Sequence, residues 1–236
     1  MQKLFQNFDA IFLINLPERK DRLAATVREF EKIDYPIAHP HNRVRIIPGT
    51  KFLSADGFPS IGMRGSFTSH LSAIQSAQAL KLRNVLVCED DIRFNSVDES
   101  TIDRLSSSMP PEWDIIYFGY LEPKEENRAI GFLPYAKGTI GGHFYAVNGP
   151  FFEVLANYML ACRDRPPGHP LGGKMGRDGT FNQLLIVRPD TKVFLTSPNL
   201  AGQRSSRSDI TPSRLDKIVF PSLMSFARSL RHRLKR

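Results

Sequence analysis

Val85-Leu86-Val87-Cys88-Glu89-Asp90-Asp91 passes from four apolar side chains to three carboxylates with no spacer between them. An unbroken apolar run of this length marks a strand buried on both faces, as at the centre of a parallel sheet. In open α/β sheets ligands bind outside the carboxyl ends of the strands, so these acids stand where a ligand is expected. On an extended chain Glu89 and Asp91 point to one side and Asp90 to the other. Two carboxylates so placed suit a hard divalent cation, Mn²⁺ or Mg²⁺, with a substrate phosphate completing its shell. Such an ion neutralises the charge that builds on a departing diphosphate. The alternative is an acidic loop that caps a helix or faces solvent. Three adjacent acids repel one another, which favours a cation beside them.

Working outward, Ala10-Ile11-Phe12-Leu13-Ile14 and Ile115-Ile116-Tyr117-Phe118 are two more runs of the same kind. Leu23, Val27 and Phe30 recur at helical spacing and predict a helix over 20–32. The proline-rich stretch 35–48 breaks that period and leaves a short strand at 44–47, and 51–63 reads as a loop. Leu71, Ile74, Ala77 and Leu80 predict a second helix over 68–82, with Ser66 or Thr68 as its N-cap. A strand at 142–147 precedes a helix bearing Phe151, Phe152, Leu155, Met159 and Leu160. Residues 163–179, dense in Pro and Gly, read as a long functional loop. A helix at 178–187 and a strand at 192–196 follow. Strands alternating with helices imply one α/β domain with a mostly parallel central sheet, spanning 1–215, ahead of a tail at 216–236.

The chain has 236 residues, 41% apolar and 24% charged, which excludes collagen-like, low-complexity and wholly disordered classes. It has no apolar run of the ~18 residues that a membrane span needs. Met1 to Phe8 shows no basic region followed by an apolar one, as a secretory signal would. With Cys88 and Cys162 as its only cysteines, the expected compartment is reducing and cytoplasmic. The net charge of +8 is concentrated: from Arg204 onward there are nine basic residues against Asp209 and Asp216. A nucleic-acid binder would carry its basic surface on the folded body, so no nucleic-acid partner is expected. Over 221–236, Leu223, Phe226, Ala227, Leu230 and Leu234 share one face of a helix, with Arg228, Arg231, Arg233, Lys235 and Arg236 around it. A basic amphipathic helix of this kind lies on an anionic membrane surface; the alternative is a terminal helix docked on its own domain.

Asn15-Leu16-Pro17-Glu18-Arg19-Lys20-Asp21-Arg22 closes the first strand and opens a helix, and its N–H groups and cationic side chains favour an anion. Taken alone, it reads as a charged helix start. There is no glycine-rich phosphate loop, no HExxH, no CxxC and no GxSxG elbow. His70 and His143 read as structural. Asp178 opens a helix, either as its N-cap or as a catalytic base.

Taken together, these pieces resemble glycosyltransferase family 25, of the lipooligosaccharide and lipopolysaccharide galactosyltransferase type. The likeness rests on Ile11 to Leu16 with Arg19, Asp21 and Arg22; on Gly65-Ser66-Phe67-Thr68-Ser69-His70; on Val85 to Ile92; and on Trp113 to Gly119, with weaker echoes as far as residue 210. The resemblance implies a GT-A, Rossmann-like fold, a nucleotide-sugar donor (typically UDP-galactose) and transfer with inversion. It implies that Glu89 and Asp91 hold the metal, that Asp90 touches the donor ribose, and that Asn15, Leu16, Arg19 and Arg22 lie near the nucleotide. An inverting transferase needs a carboxylate to take the acceptor proton, and Asp178 is the candidate, with Asp90 and Asp209 as alternatives. The acceptor expected is a glycan or glycolipid at the cytoplasmic face of the inner membrane. The walls of the sugar pocket are expected from 163–179. Two departures stand out: Arg64 replaces an acid usual in the family, and no histidine falls between His169 and His232 to complete a metal site, leaving Asp209 or Gln203 as substitutes. Two other readings compete, a metal-dependent phosphohydrolase or nuclease and a non-catalytic membrane-associated binding protein.

Overall fold

A computed structural model describes residues 1–39, 41–123, 129–135 and 137–204. The elements are α1 (Gln2–Phe5), β1 (Ile11–Asn15), α2 (Lys20–Lys32), β2 (Val44–Pro48), α3 (Ile61–Ala79), β3 (Asn84–Glu89), β4 (Ile92–Phe94), α4 (Glu99–Ser107), β5 (Ile115–Gly119), β6 (Gly131–Pro134), β7 (Phe144–Asn148), α5 (Gly149–Asp164), α6 (Arg177–Val187), β8 (Val193–Ser197) and β9 (Ala201–Gln203). The helix expected at 221–236 lies outside the described residues.

The strands form one sheet in the order β2-β1-β3-β7-β5-β8-β6, with β9 beside β5 and β4 beside β9. β1 is parallel to β2 and β3, and β5 is parallel to β8 and β9, which gives the mostly parallel sheet of a GT-A fold. The expected fourth strand is present as β7, but it runs antiparallel to both β3 and β5. An apolar run reports burial on both faces and not direction, so its sense was open to either choice.

The three apolar runs are buried along their length because helices cover both faces of the sheet. Phe12, Ile14, Val85, Val87, Ile115 and Tyr117 pack with α3, α5 and α6 on one side. Ile11, Leu13, Leu86, Cys88, Ile116 and Phe118 pack with α1, α2 and α4 on the other. Alternation along each strand divides a continuous apolar run between two cores.

Two boundaries differ from expectation in ways that build the site. α3 starts at Ile61, earlier than its periodicity suggests, with Ser60 as N-cap; the Ser60 hydroxyl accepts the Met63 N–H at 3.0 Å. Gly65 is a packing residue and not a helix breaker, because a Cβ there would stand 2.6 Å from the Thr50 carbonyl oxygen. The Ser69 hydroxyl accepts the Thr50 N–H at 2.8 Å and donates to the Gly65 carbonyl at 2.7 Å. The chain leaving β2 is thereby held against α3. Similarly, α5 continues to Asp164 and α6 begins at Arg177, so the long loop shortens to 165–176.

Candidate active site

β1 and β3 end side by side, and the acidic turn leaves the sheet between α2 and α3. Glu89, the last residue of β3, turns inward. Its Oε1 lies 3.2 Å from His70 Nε2 and 3.1 Å from Arg177 Nη2. Burial opposes its ionisation, but the hydrogen bond from His70 and the Arg177 charge hold its carboxyl well below the usual carboxylate range. His70 is fully buried, and that burial lowers its pKa. A neutral imidazole gives its Nε2–H to Glu89 and accepts the Tyr145 hydroxyl at Nδ1, 2.8 Å away. Arg177 lies beneath Tyr145 and Phe181, its Cζ 5.5 and 5.6 Å from their ring centres, and it pairs with Asp178 as well as with Glu89. Asp178 in turn accepts the Gly141 N–H at Oδ2, 2.8 Å away. The N-cap of α6 is Gly176, so Asp178 is not the cap.

Asp90 sits between β1 and α2. Its Oδ2 accepts the Asn15 side-chain amide at 2.7 Å and its Oδ1 accepts Arg22 Nη1 at 2.8 Å. The Asp90 carbonyl accepts Thr26 Oγ1 at 2.7 Å and Arg204 Nη2 at 2.6 Å. Arg204 also donates to the Ile92 carbonyl at 2.8 Å and to Thr26 Oγ1 at 3.0 Å, and its own N–H reaches the Asp91 carbonyl at 2.6 Å. One guanidinium thus ties β9, α2 and the acidic turn together.

Asp91 is the exception in the triplet. Its ion pair with Arg22 is long, 3.8 Å, and Gln203 Nε2 is 3.4 Å from its Oδ1. Burial and the charges of Glu89 and Asp90 push its pKa up to about 7. Among the described residues no group of three or more His, Cys, Asp or Glu is arranged to hold a metal ion. Of the two expected ligands, Glu89 has its Oε1 paired with His70 and Arg177. Asp91 fits a cation: a half-buried carboxylate whose charge is poorly compensated, with the Gln203 amide beside it.

A cavity of about 410 Å³ opens against these groups, lined among others by Ile14, Leu16, Arg22, Thr50, Phe52, Ser66, His70, Glu89 and Asp90. Of the expected nucleotide-side residues, Leu16, Arg22 and Asp90 line it, and Asn15 reaches it through Asp90. Arg19 does not line it; its guanidinium pairs with Asp21 at 3.0 Å. No residue of 163–179 is among the lining residues either. Sequence reading passed over His70, read there as merely structural, and Arg177, next to Asp178. Arg204 was hidden because it was counted with the charge of the tail.

No protein-family profile matches the chain. It is 30% identical over 143 residues to human "Inactive glycosyltransferase 25 family member 3", a match covering 52% of this chain and 24% of that protein. It is 27% identical over 142 residues to human "Procollagen galactosyltransferase 2", covering 52% and 23%. The chain is a relative of the glycosyltransferase 25 family. It aligns with about a quarter of the length of the curated relatives it matches. Among solved structures it resembles a glycosyltransferase involved in the glycosylation of the major capsid of PBCV-1. That likeness has a TM-score of 0.50 at 9% identity and covers 94% of this chain and 98% of that one, a likeness of fold.

Proposed function

We propose that this chain is an inverting glycosyltransferase. It would move a hexose, galactose on the strength of the family likeness, from a UDP-sugar to a hydroxyl of a lipopolysaccharide, lipooligosaccharide or other surface glycan. The observation that carries the reading is Asp90, held by Asn15 and Arg22 on the wall of a cavity at the carboxyl ends of β1 and β3. A carboxylate fixed by two donors keeps lone pairs for the paired hydroxyls of a ribose. Arg22 supplies positive charge beside the diphosphate, a role that suits a guanidinium. Asp91, with Gln203 and the diphosphate itself, would hold Mn²⁺ or Mg²⁺; bound there, the ion neutralises charge on the departing nucleotide.

Asp178 takes the acceptor proton. The Gly141 N–H and Arg177 fix its carboxylate while a third of its side chain stays exposed, within reach of an incoming hydroxyl. The test is UDP release from UDP-galactose with and without a panel of glycan acceptors. Release is expected only with acceptor, and Asp178→Asn should lose about 10²–10⁴-fold in transfer while keeping UDP affinity within about two-fold. Equal release without acceptor would instead favour the phosphohydrolase reading. UDP binding with no transfer to any acceptor would favour a non-catalytic role, the condition named in the human relative at 30% identity.

The basic stretch at 221–236 would keep the protein on the anionic cytoplasmic face of the membrane, where a lipid-linked acceptor is confined. No helix among the described residues is long and apolar enough to cross a membrane. Deleting 221–236 is expected to release the protein from anionic vesicles in a sedimentation assay with UDP binding unchanged. Continued sedimentation of the truncated chain would end the anchoring idea.

A further inference from the structure

Arg64 has a defined task in the structure. It lies in the first turn of α3 with its Cζ 3.9 Å from the centre of the Phe52 ring. Its Nη1 donates to the Ser54 carbonyl at 3.0 Å and to the Ser54 hydroxyl at 3.3 Å, and its Nη2 pairs with Asp56 at 3.3 Å. Asp56 also faces Lys174, 3.6 Å away, from the loop before α6. The segment from Lys51 to Ser60 has no helix or strand of its own, and Phe58, against Phe67 at 5.1 Å, is its one buried side chain. Arg64 thus helps to fix this loop at the cavity, together with the Lys51–Glu18 pair at 3.0 Å, and Phe52 is part of the cavity wall.

The cavity has two chemistries. The charged side chains Arg22, Glu89 and Asp90 come from α2 and the end of β3, while Thr50, Lys51, Phe52, Ile61 and Ser66, which are hydroxyl or apolar apart from Lys51, come from the end of β2 and the start of α3. The first set suits ribose and diphosphate. The second suits a flat, partly polar ring, which an aromatic side chain binds by stacking. A phenylalanine backed by a guanidinium loses little freedom when a second ring settles on it, because it is already ordered.

We propose that Phe52 is the platform for the donor's nucleobase and that Arg64 is the positioning residue that holds it there, so that Arg64 sets donor affinity. This rests on the cavity being the donor site.

The test titrates UDP into the 236-residue chain and five variants by calorimetry, with melting temperatures recorded alongside. Arg64→Ala and Phe52→Leu should each weaken UDP about ten-fold, within the range that base stacking contributes. Arg64→Glu should weaken it further, because it would repel Asp56. Phe52→Tyr should bind within about two-fold of the parent, and Arg64→Lys should recover part of the loss. Melting temperatures should stay within about 2 °C, since the loop is largely exposed. UDP affinity unchanged in Arg64→Ala and Phe52→Leu overturns the inference and leaves the donor site standing. So does a loss as large in Phe52→Tyr as in Phe52→Leu. A parent chain that binds no UDP overturns the donor site, and the inference with it.

Discussion

Asp91→Asn is expected to make the protein melt at a higher temperature and to slow transfer by orders of magnitude. The carboxylate is half-buried, Arg22 pairs with it only at 3.8 Å, and Glu89 and Asp90 precede it in the chain. Its pKa in the folded protein is raised to about 7, so the folded state holds this proton more tightly than the unfolded chain does. The stabilisation from that proton is complete below the ordinary carboxylate range and is lost as the pH rises from about 4 through about 7. At neutral pH the ionised side chain therefore works against folding. An amide keeps the neighbour at Gln203 and removes the charge. The gain should be about 1–2 kcal/mol once water penetration is allowed for, which raises Tm by roughly 3–6 °C in a chain of this size.

The same substitution should lower transfer by about 10²–10⁴-fold, the scale of losing one group that stabilises developing charge. Added Mn²⁺ should raise the Tm of the parent by mass action and leave the variant where it was. Thermal melts at pH 5, 7 and 8, with and without the ion, check each element. A variant that melts lower at pH 7 would show that the carboxylate is already satisfied.

Arg177→Met is expected to have the largest effect on stability. The guanidinium is the shared partner of Glu89 and Asp178, and two aromatic rings enclose it. Methionine fills much of its volume but leaves Glu89 buried beside a His70 whose burial disfavours protonation. Breaking a buried ion pair from one side costs about 3–5 kcal/mol, because an uncompensated charge remains. A fall in Tm of roughly 6–20 °C follows. Adding Glu89→Gln to Arg177→Met should recover most of the loss, since removing both charges spares the buried site. Urea melts of the two single variants and the double variant measure the coupling. If the losses simply add, the pair carries no coupling and the buried network is not what fixes Asp178.

Much of this was legible beforehand because burial leaves a direct mark on sequence. The runs at Ile11, Val85 and Ile115 are strands divided between two cores, and the helix at 20–32 was found at its observed bounds. The acids at the end of β3 marked the site for the same reason: charges following a buried run must lie where the sheet ends. Other features left a weaker mark. The helix expected over 68–82 begins earlier, at Ile61, because nothing local reveals the contact of Gly65 with the Thr50 carbonyl. β4 and β9 are too short to show a period, and the direction of β7 is set by its neighbours. Within the triplet, alternation placed Glu89 with Asp91, whereas His70 and Arg177, distant in sequence, draw Glu89 inward. Side-chain partners of that kind depend on the tertiary arrangement, which spacing does not encode.

The Arg204 guanidinium has a mechanical consequence. Its bonds to the Asp90 and Ile92 carbonyls and to Thr26 make it a pin between α2 and the acidic turn, so loss of that one side chain would loosen the floor of the cleft from the helix behind it.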